Sequence, residues 1–166
     1  MNLELNLESN LESTPEAPGG RAAELVARLQ AAGYRLTPQR LALVNLLTRD
    51  DTHPSADQIF ARLRAEYPTV SLATVYNTLD MLVELGEALT LDLNEGCTRY
   101  DVRRPSAHPH VVCRTCGLVA DLEVDGLADF VDEARTTSTF GDLQPRIYFD
   151  GVCPTCANAS RQPRGR

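Results

Sequence analysis

No run of apolar residues in this chain approaches the roughly 20 needed to cross a bilayer, so no transmembrane helix is expected. The first twenty residues, MNLELNLESNLESTPEAPGG, carry neither a basic segment nor an apolar one. They do not read as a secretory signal, and a cytoplasmic protein is expected. Lysine is absent: all sixteen cations are arginine, a bias that reflects genomic composition more than function. Tryptophan is absent too, and aromatics make up only 5% of the chain. The 43% hydrophobic content is still that of a globular protein, not of a disordered one. At 166 residues there is room for one ordinary domain or two small ones.

An excess of positive charge is also missing: the net charge is −7. It is unevenly spread. Residues 1–18 hold four acids and no base, in a loose NLEL/NLES/NLES repetition that reads as a flexible, solvated arm. Residues 19–86 hold seven arginines against seven acids, and residues 87–166 nine against twelve. The middle stretch is thus neutral overall, which permits a one-sided arginine patch without demonstrating one.

Residues 20–85 read as four helices joined by short turns. Ala22, Leu25, Val26, Leu29 and Ala32 recur at helical spacing, and Gly33 closes the first. Thr37-Pro38 supplies an N-cap and a first-turn proline ahead of Leu41, Val44 and Leu47. Ser55-Ala56-Asp57-Gln58 is a capping box ahead of Ile59, Phe60 and Leu63, in a helix that stops before Pro68. Ser71 caps a fourth helix that carries Leu72, Val75, Leu79 and Leu82 inward and ends at Gly86. Short helices with tight turns are the build of a helix-turn-helix unit.

Beyond Gly86 the period changes to two. Residues 88–93 alternate, Asn94-Glu95-Gly96 turns, and residues 98–102 return, which predicts a β-hairpin wing. Arg103-Arg104-Pro105-Ser106 reads as a linker. Strands are expected near 109–113, 118–123 and 146–150, with an amphipathic helix over about 126–137 that gathers Leu127, Phe130 and Val131 on one face. The expected class is α+β: a winged-helix domain over 19–102, a hinge at 103–106, a small α/β domain over 107–158, and a flexible tail over 159–166.

Five cysteines are present: Cys97 alone, then Cys113-Arg-Thr-Cys116 and Cys153-Pro-Thr-Cys156. Two CxxC pairs, each beside a glycine that helps turn the knuckle, place four thiolates at the corners of a tetrahedral zinc site. Disulfides are disfavoured without a secretion signal, and two matched knuckles exceed what one redox pair needs. The 36 residues between the pairs must hold something folded. The site is expected to be closed and structural. Cys97 reads as a small buried or semi-buried residue. Of the three histidines, two form His108-Pro109-His110. Residues i and i+2 of a strand share a face, so both imidazoles can meet one ion; two ordinary surface histidines remain open at this point. Asp101 and Asp121 would add carboxylates, a set suited to Fe²⁺ or Mn²⁺. Pro109 cannot donate to a ladder, which predicts a loosened strand or a sheet edge.

The segments YRLTPQR (34–40), HPSAD (53–57), SLATVYNTL (71–79) and HPHVVCRTCG (108–117) resemble the ferric uptake regulator family in order and spacing, over about residues 20–156. The resemblance implies a winged-helix domain joined to a dimerisation domain, acting as a homodimer on palindromic operators in double-stranded DNA. It is nearest to the peroxide-sensing repressors of that family. Their regulatory ion takes ligands that correspond to His53, Asp101, His108, His110 and Asp121, and this uses every histidine in the chain. A carboxylate at Asp101, which iron-uptake relatives often lack, favours the sensing branch over a plain iron-, manganese- or zinc-responsive repressor. A further site of many iron-uptake members meets Ala128 and Gln144-Pro145-Arg146 here, and so is expected to be absent. The extra cysteine that zinc-uptake sensors tend to carry before the HxH motif is missing from residues 103–107. The resemblance further implies that peroxide adds oxygen to His53 or His108. Ser71, Thr74, Tyr76 and Asn77 of the fourth helix, with Arg40, are the expected DNA contacts. A non-haem metal enzyme is the rival class, but no general base or substrate pocket is legible and no catalytic residue is assigned. Removal of residues 1–18 should leave operator binding intact, and should strengthen it at low salt because four glutamates no longer face phosphate. Weaker binding of the truncated protein in a salt titration would contradict that reading of the arm.

Overall fold

The computed structural model describes residues 20–93 and 96–161. The arm over 1–18, the turn residues Asn94 and Glu95, and residues 162–166 of the expected tail lie outside the described residues.

Four helices come first: α1 (Gly20–Ala31), α2 (Pro38–Leu47), α3 (Ala56–Glu66) and α4 (Leu72–Glu84). Their starts follow from local chemistry. Thr37 accepts from the Arg40 amide ahead of Pro38, Ser71 accepts from the Thr74 amide, and Ser55 with Gln58 forms a reciprocal capping box. Leu25, Leu29, Val44, Ile59, Val75, Leu79 and Leu82 are fully buried in one core, each contributing about 2 kcal/mol relative to exposure. Two inward sets differ from the periodic reading. In α2, Leu43 joins Val44 and Leu47 inside while Leu41 is half-buried. This helix touches α1, α3 and α4, so apolar residues serve more than one of its faces. In α4, Thr78 and Met81 are buried beside Val75, Leu79 and Leu82 while Leu72 is half-buried, and the Thr78 hydroxyl is satisfied by the Thr74 carbonyl at 2.6 Å.

The wing is an antiparallel pair, β1 (Leu89–Asp92) and β2 (Thr98–Asp101). A second sheet holds β3 (His110–Cys113), β4 (Val119–Asp121) and β5 (Tyr148–Gly151) in the order β4-β3-β5, with β4 antiparallel and β5 parallel to β3. Helix α5 (Leu127–Thr137) lies between β4 and β5, and these elements fill the gap between the cysteine pairs. The wing does not stand clear of the second sheet: Leu91 is buried with Val112 and Val119, and Leu89, Leu93 and Tyr148 pack around them.

Two expectations need correction. A further helix, α6 (Pro154–Arg161), runs into the span expected to be tail; Pro154 starts it at a first-turn position that needs no amide. Pro109 marks no sheet edge, because β3 is the central strand. It sits one residue before the strand, where no ladder donor is needed, and its carbonyl accepts from the Leu122 amide at 2.9 Å. Helix α5 is amphipathic as expected; none of its residues is buried, and Phe130 is 64% exposed. Ser55→Ala should cost about 1 kcal/mol, since it removes an N-cap; chemical denaturation measures it, and an unchanged midpoint would show that water replaces the cap freely.

Candidate metal centres

The four thiols of the two CxxC pairs meet at one end of the second sheet. Parallel pairing sets Cys113 beside Gly151, which delivers Cys153 two residues later to the same end. The Cys153 amide donates to Cys113 Sγ at 3.3 Å. Gly117, at φ +69, closes the first knuckle with its amide on the Cys113 carbonyl at 2.9 Å, a left-handed turn that side chains resist. Cys156 is carried in by the first turn of α6. All four sulfurs lie within 4.8 Å of one another, and Cys116 and Cys153 are 3.7 Å apart. That is far beyond a disulfide bond of about 2.05 Å and close to the roughly 3.8 Å edge of a tetrahedron with zinc–sulfur bonds of about 2.3 Å. Amide donors from Cys153, Cys116 and Thr115 pull the Cys113 thiol down to about 6, while the neighbouring Cys153 and Cys116 thiols push Cys156 up to about 12. Four thiolates in one place need a cation, and the residues present fit zinc.

The second cluster draws one or two groups from each of several segments. His110 opens β3, and the register sets Asp121 of β4 directly opposite it. His108 precedes the strand, yet its ring lies 4.3 Å from that of His110, so the shared face predicted from i and i+2 holds although Pro109 is outside the ladder. Asp101 ends β2. His53 lies between α2 and α3, and two ties to the wing bring it in: the Tyr100 amide donates to the Pro54 carbonyl at 3.2 Å, and Ser55 bridges to Arg99. Asp50 shapes the same loop, accepting from the Thr52 amide at 2.8 Å and pairing with Arg62. His53 itself holds φ +50, a left-handed conformation that a non-glycine residue adopts only where its surroundings impose it.

One ligating atom from each of these five residues lies within 4.8 Å of the others. His53 Nε2 is 2.8 Å and His108 Nε2 3.2 Å from Asp121 Oδ1, and His108 Nε2 is 3.3 Å from Asp101 Oδ2. These close approaches are not hydrogen bonds. Asp101 Oδ2, Asp121 Oδ1, His108 Nε2 and His110 Nε2 are buried with no hydrogen-bond partner, an arrangement costly for each group unless a cation fills the centre. The outward atoms are better served. His108 Nδ1 bonds the Ser106 carbonyl at 2.8 Å, and Asp101 Oδ1 accepts from the Arg103 and Arg104 amides at 2.9 and 3.2 Å. Both contacts aim the remaining atoms inward. His53 lacks such help: its Nδ1 is buried and unpartnered.

Electrostatics separate the five groups. Burial, and then the neighbouring His108 and His53, lower His110 to about 4, so its ring is neutral and ready to ligate. Burial also lowers His108, but Asp121, the Ser106 carbonyl and Asp101 outweigh it and leave that ring raised. Burial raises Asp101. It would raise Asp121 as well, but the approach of His108 and His53 holds that carboxyl far below the usual range. Three imidazoles and two carboxylates with free lone pairs fit a divalent ion of borderline-to-hard character.

A sequence profile of the ferric uptake regulator family matches residues 31–149. The chain belongs to the ferric uptake regulator family. The peroxide-responsive repressor PerR of Staphylococcus aureus is 33% identical over 133 residues, covering 80% of this chain and 89% of that protein. The solved peroxide stress regulator of Campylobacter jejuni is 30% identical, covers 80% of this chain and 96% of its own, and superposes with a TM-score of 0.57. The ferric uptake regulator of Helicobacter pylori shares the fold at 19% identity, covering 90% of this chain and 97% of its own with a TM-score of 0.67. Membership of this family of regulators decides against the enzyme reading.

The expected DNA-facing residues lie along α4 and its approach. Tyr76 is 42% exposed, and Ser71 and Asn77 are exposed; Thr74 is half-buried and shares a 2.9 Å contact with the Ser71 hydroxyl. Arg40 is half-buried, and its guanidinium donates to the Arg35 carbonyl at 2.6 Å. Cys97 is exposed, not buried as its residue type suggested: it follows Gly96 at the wing tip, before the ladder begins. Ser106 and the Arg103 and Arg104 amides escaped sequence reasoning because they act through the backbone, which carries no residue-type signal. Cys113→Ser should release zinc and unfold the second sheet or abolish association, because binding energy at such a site is folding energy. Metal analysis with circular dichroism tests this, and a folded, metal-free quadruple serine variant would refute a structural role.

Proposed function

We propose that this chain is a metal-dependent transcriptional repressor that binds palindromic DNA operators as a homodimer and responds to peroxide. The observation that carries the proposal is the convergence of five buried or half-buried ligating atoms from the α2–α3 loop, the wing and the second sheet, four of them without hydrogen-bond partners. Cys113, Cys116, Cys153 and Cys156 hold a structural zinc, and His53, Asp101, His108, His110 and Asp121 hold the regulatory Fe²⁺ or Mn²⁺. Residues 19–102 form the DNA-binding domain, 103–106 the hinge and 107–158 the dimerisation domain. A regulator of this kind works in the cytoplasm; no described helix is long and apolar enough to cross a membrane.

His53 belongs to the helical unit, whereas His108, His110 and Asp121 belong to the second sheet. Binding all five groups to one ion fixes the angle between the units. In a dimer that angle sets the spacing of the two α4 helices, which must match major grooves about 34 Å apart. Ser71, Thr74, Tyr76 and Asn77 then face DNA, and Arg40 faces phosphate. Six exposed apolar residues (Leu118, Val124, Phe130, Phe140, Phe149 and Val152) lie between β3 and α6, and they supply the surface on which a second copy packs.

Ferrous iron held by His53, Asp101, His108, His110 and Asp121 would supply one-electron chemistry toward hydrogen peroxide; His53 or His108 is the ring that would take up one oxygen atom, the other leaving as water. A cavity of about 190 Å³ between β1 and the second sheet reaches His108 and His110, room enough for a small oxidant. An oxygenated ring is a poorer ligand. His53 is only 3% exposed and its Nδ1 has no hydrogen-bond partner, so its loop would move to accommodate the change and the clamp would open. Manganese in the same site lacks this ready one-electron chemistry. Iron-loaded protein treated briefly with hydrogen peroxide should gain the mass of one oxygen atom on the peptide containing His53 or His108 and leave its operator; manganese-loaded protein should do neither. Unmodified histidines with operator binding retained would reduce the protein to a plain iron- or manganese-dependent repressor.

A further inference from the structure

Arg21, in the first turn of α1, carries its charge almost entirely inside: its side chain is 9% exposed. Every arm of the guanidinium is engaged. Nε donates to the Val102 carbonyl at 3.0 Å, and one terminal nitrogen donates to the Glu87 carbonyl at 3.1 Å and meets Glu87 Oε2 at 2.7 Å. The other terminal nitrogen meets Glu24 Oε2 at 3.3 Å. The Glu87 side chain is 3% exposed, and its second oxygen is taken by Arg28 at 2.5 Å. A buried carboxylate between two arginines is seldom worth its desolvation for stability alone, so its geometry invites a specific role.

That geometry is particular. Glu87 stands two residues before β1 and Val102 directly after β2, and the ladder pairs Leu89 with Asp101. One guanidinium therefore holds both ends of the wing, at the point where the chain leaves the helical unit. Val102 is flanked by the groups that matter most there. Asp101 before it turns Oδ2 toward His53 and His108, and the Arg103 and Arg104 amides after it hold Asp101 Oδ1. The Val102 carbonyl lies inside this turn, and Arg21 is the side chain that donates to it.

We propose that Arg21, oriented by Glu87, is a positioning residue of the regulatory metal site: it pins the turn over residues 101–104 that aims Asp101 at the ion. The inference rests on the five-residue site proposed above. It ties α1 to the metal centre through one side chain, with no ligand contributed by the helix itself. Lysine at position 21 keeps the charge beside Glu87 but offers no planar fork able to hold two carbonyls and a carboxylate at once. In the double variant R21M/E87L the pair is removed together, so no charge of that pair is stranded, and Arg28 retains its 3.1 Å contact with Glu24.

Zinc-loaded wild type, R21K and R21M/E87L are titrated with Mn²⁺ by calorimetry, the paramagnetic resonance spectrum of the bound ion is recorded, and folding is followed by circular dichroism. Both variants should fold and bind Mn²⁺ roughly tenfold more weakly, the scale of lost outer-sphere support, with an altered spectrum. A purely structural ion pair would lower the melting temperature and leave affinity and spectrum unchanged, and that result overturns the proposal. Failure of the wild type itself to bind Mn²⁺ would instead overturn the site reading on which the proposal rests.

Discussion

Three imidazoles and two carboxylates turn one ligating atom each toward a common point, all within 4.8 Å of one another, and the join between the α2–α3 loop, the wing and the second sheet is organised around that constraint. Such a centre is unfavourable by itself, because buried acceptors forfeit water without gaining a donor. A divalent cation reverses the balance. On the proposed reading it would also make the regulatory state conditional: the groups come from different segments of the chain, and an ion bonding all of them would hold those segments at one angle.

Asp101, His110 and Asp121 stand on paired strands, which fix their backbone positions around that centre. The antiparallel register sets Asp121 across from His110, and the same strand ends in Cys113 of the thiol cluster. The two candidate metal sites therefore sit at opposite ends of one short strand, His110–Cys113. Zinc on the four thiols, as proposed, would hold the far end of the sheet and so secure the strand that presents the histidine. The His53 loop is tied to the wing through Pro54 and Ser55, and the wing is pressed onto the second sheet through Leu91. His53, strained at φ +50 and without a partner on Nδ1, is the least supported of the five groups. A switch is expected to yield at such a point.

Much of this was legible in the residues alone. Caps at Thr37, Ser55 and Ser71, the change of period after Gly86, and the paired CxxC motifs are local signals that need no long-range contact to be read. Failures came where tertiary context overrides type. Cys97 is exposed because it lies at the wing tip, before the β1–β2 ladder begins. Pro109 sits before a central strand rather than at an edge. Leu41 gives way to Leu43 in a helix packed on several sides.

Local order along the chain settled the helices, the wing, the thiol knuckles and the HxH pair, since each depends on residues a few positions apart. What only the tertiary structure decided is which distant groups meet. His53 reaches Asp121 across most of the fold, and Arg21 meets Glu87 and Val102 from the opposite end of the helical unit. Periodicity and capping report the energy of neighbours in sequence. They carry no information on which buried charges must share one site, because that is set by how the sheets and helices close on one another.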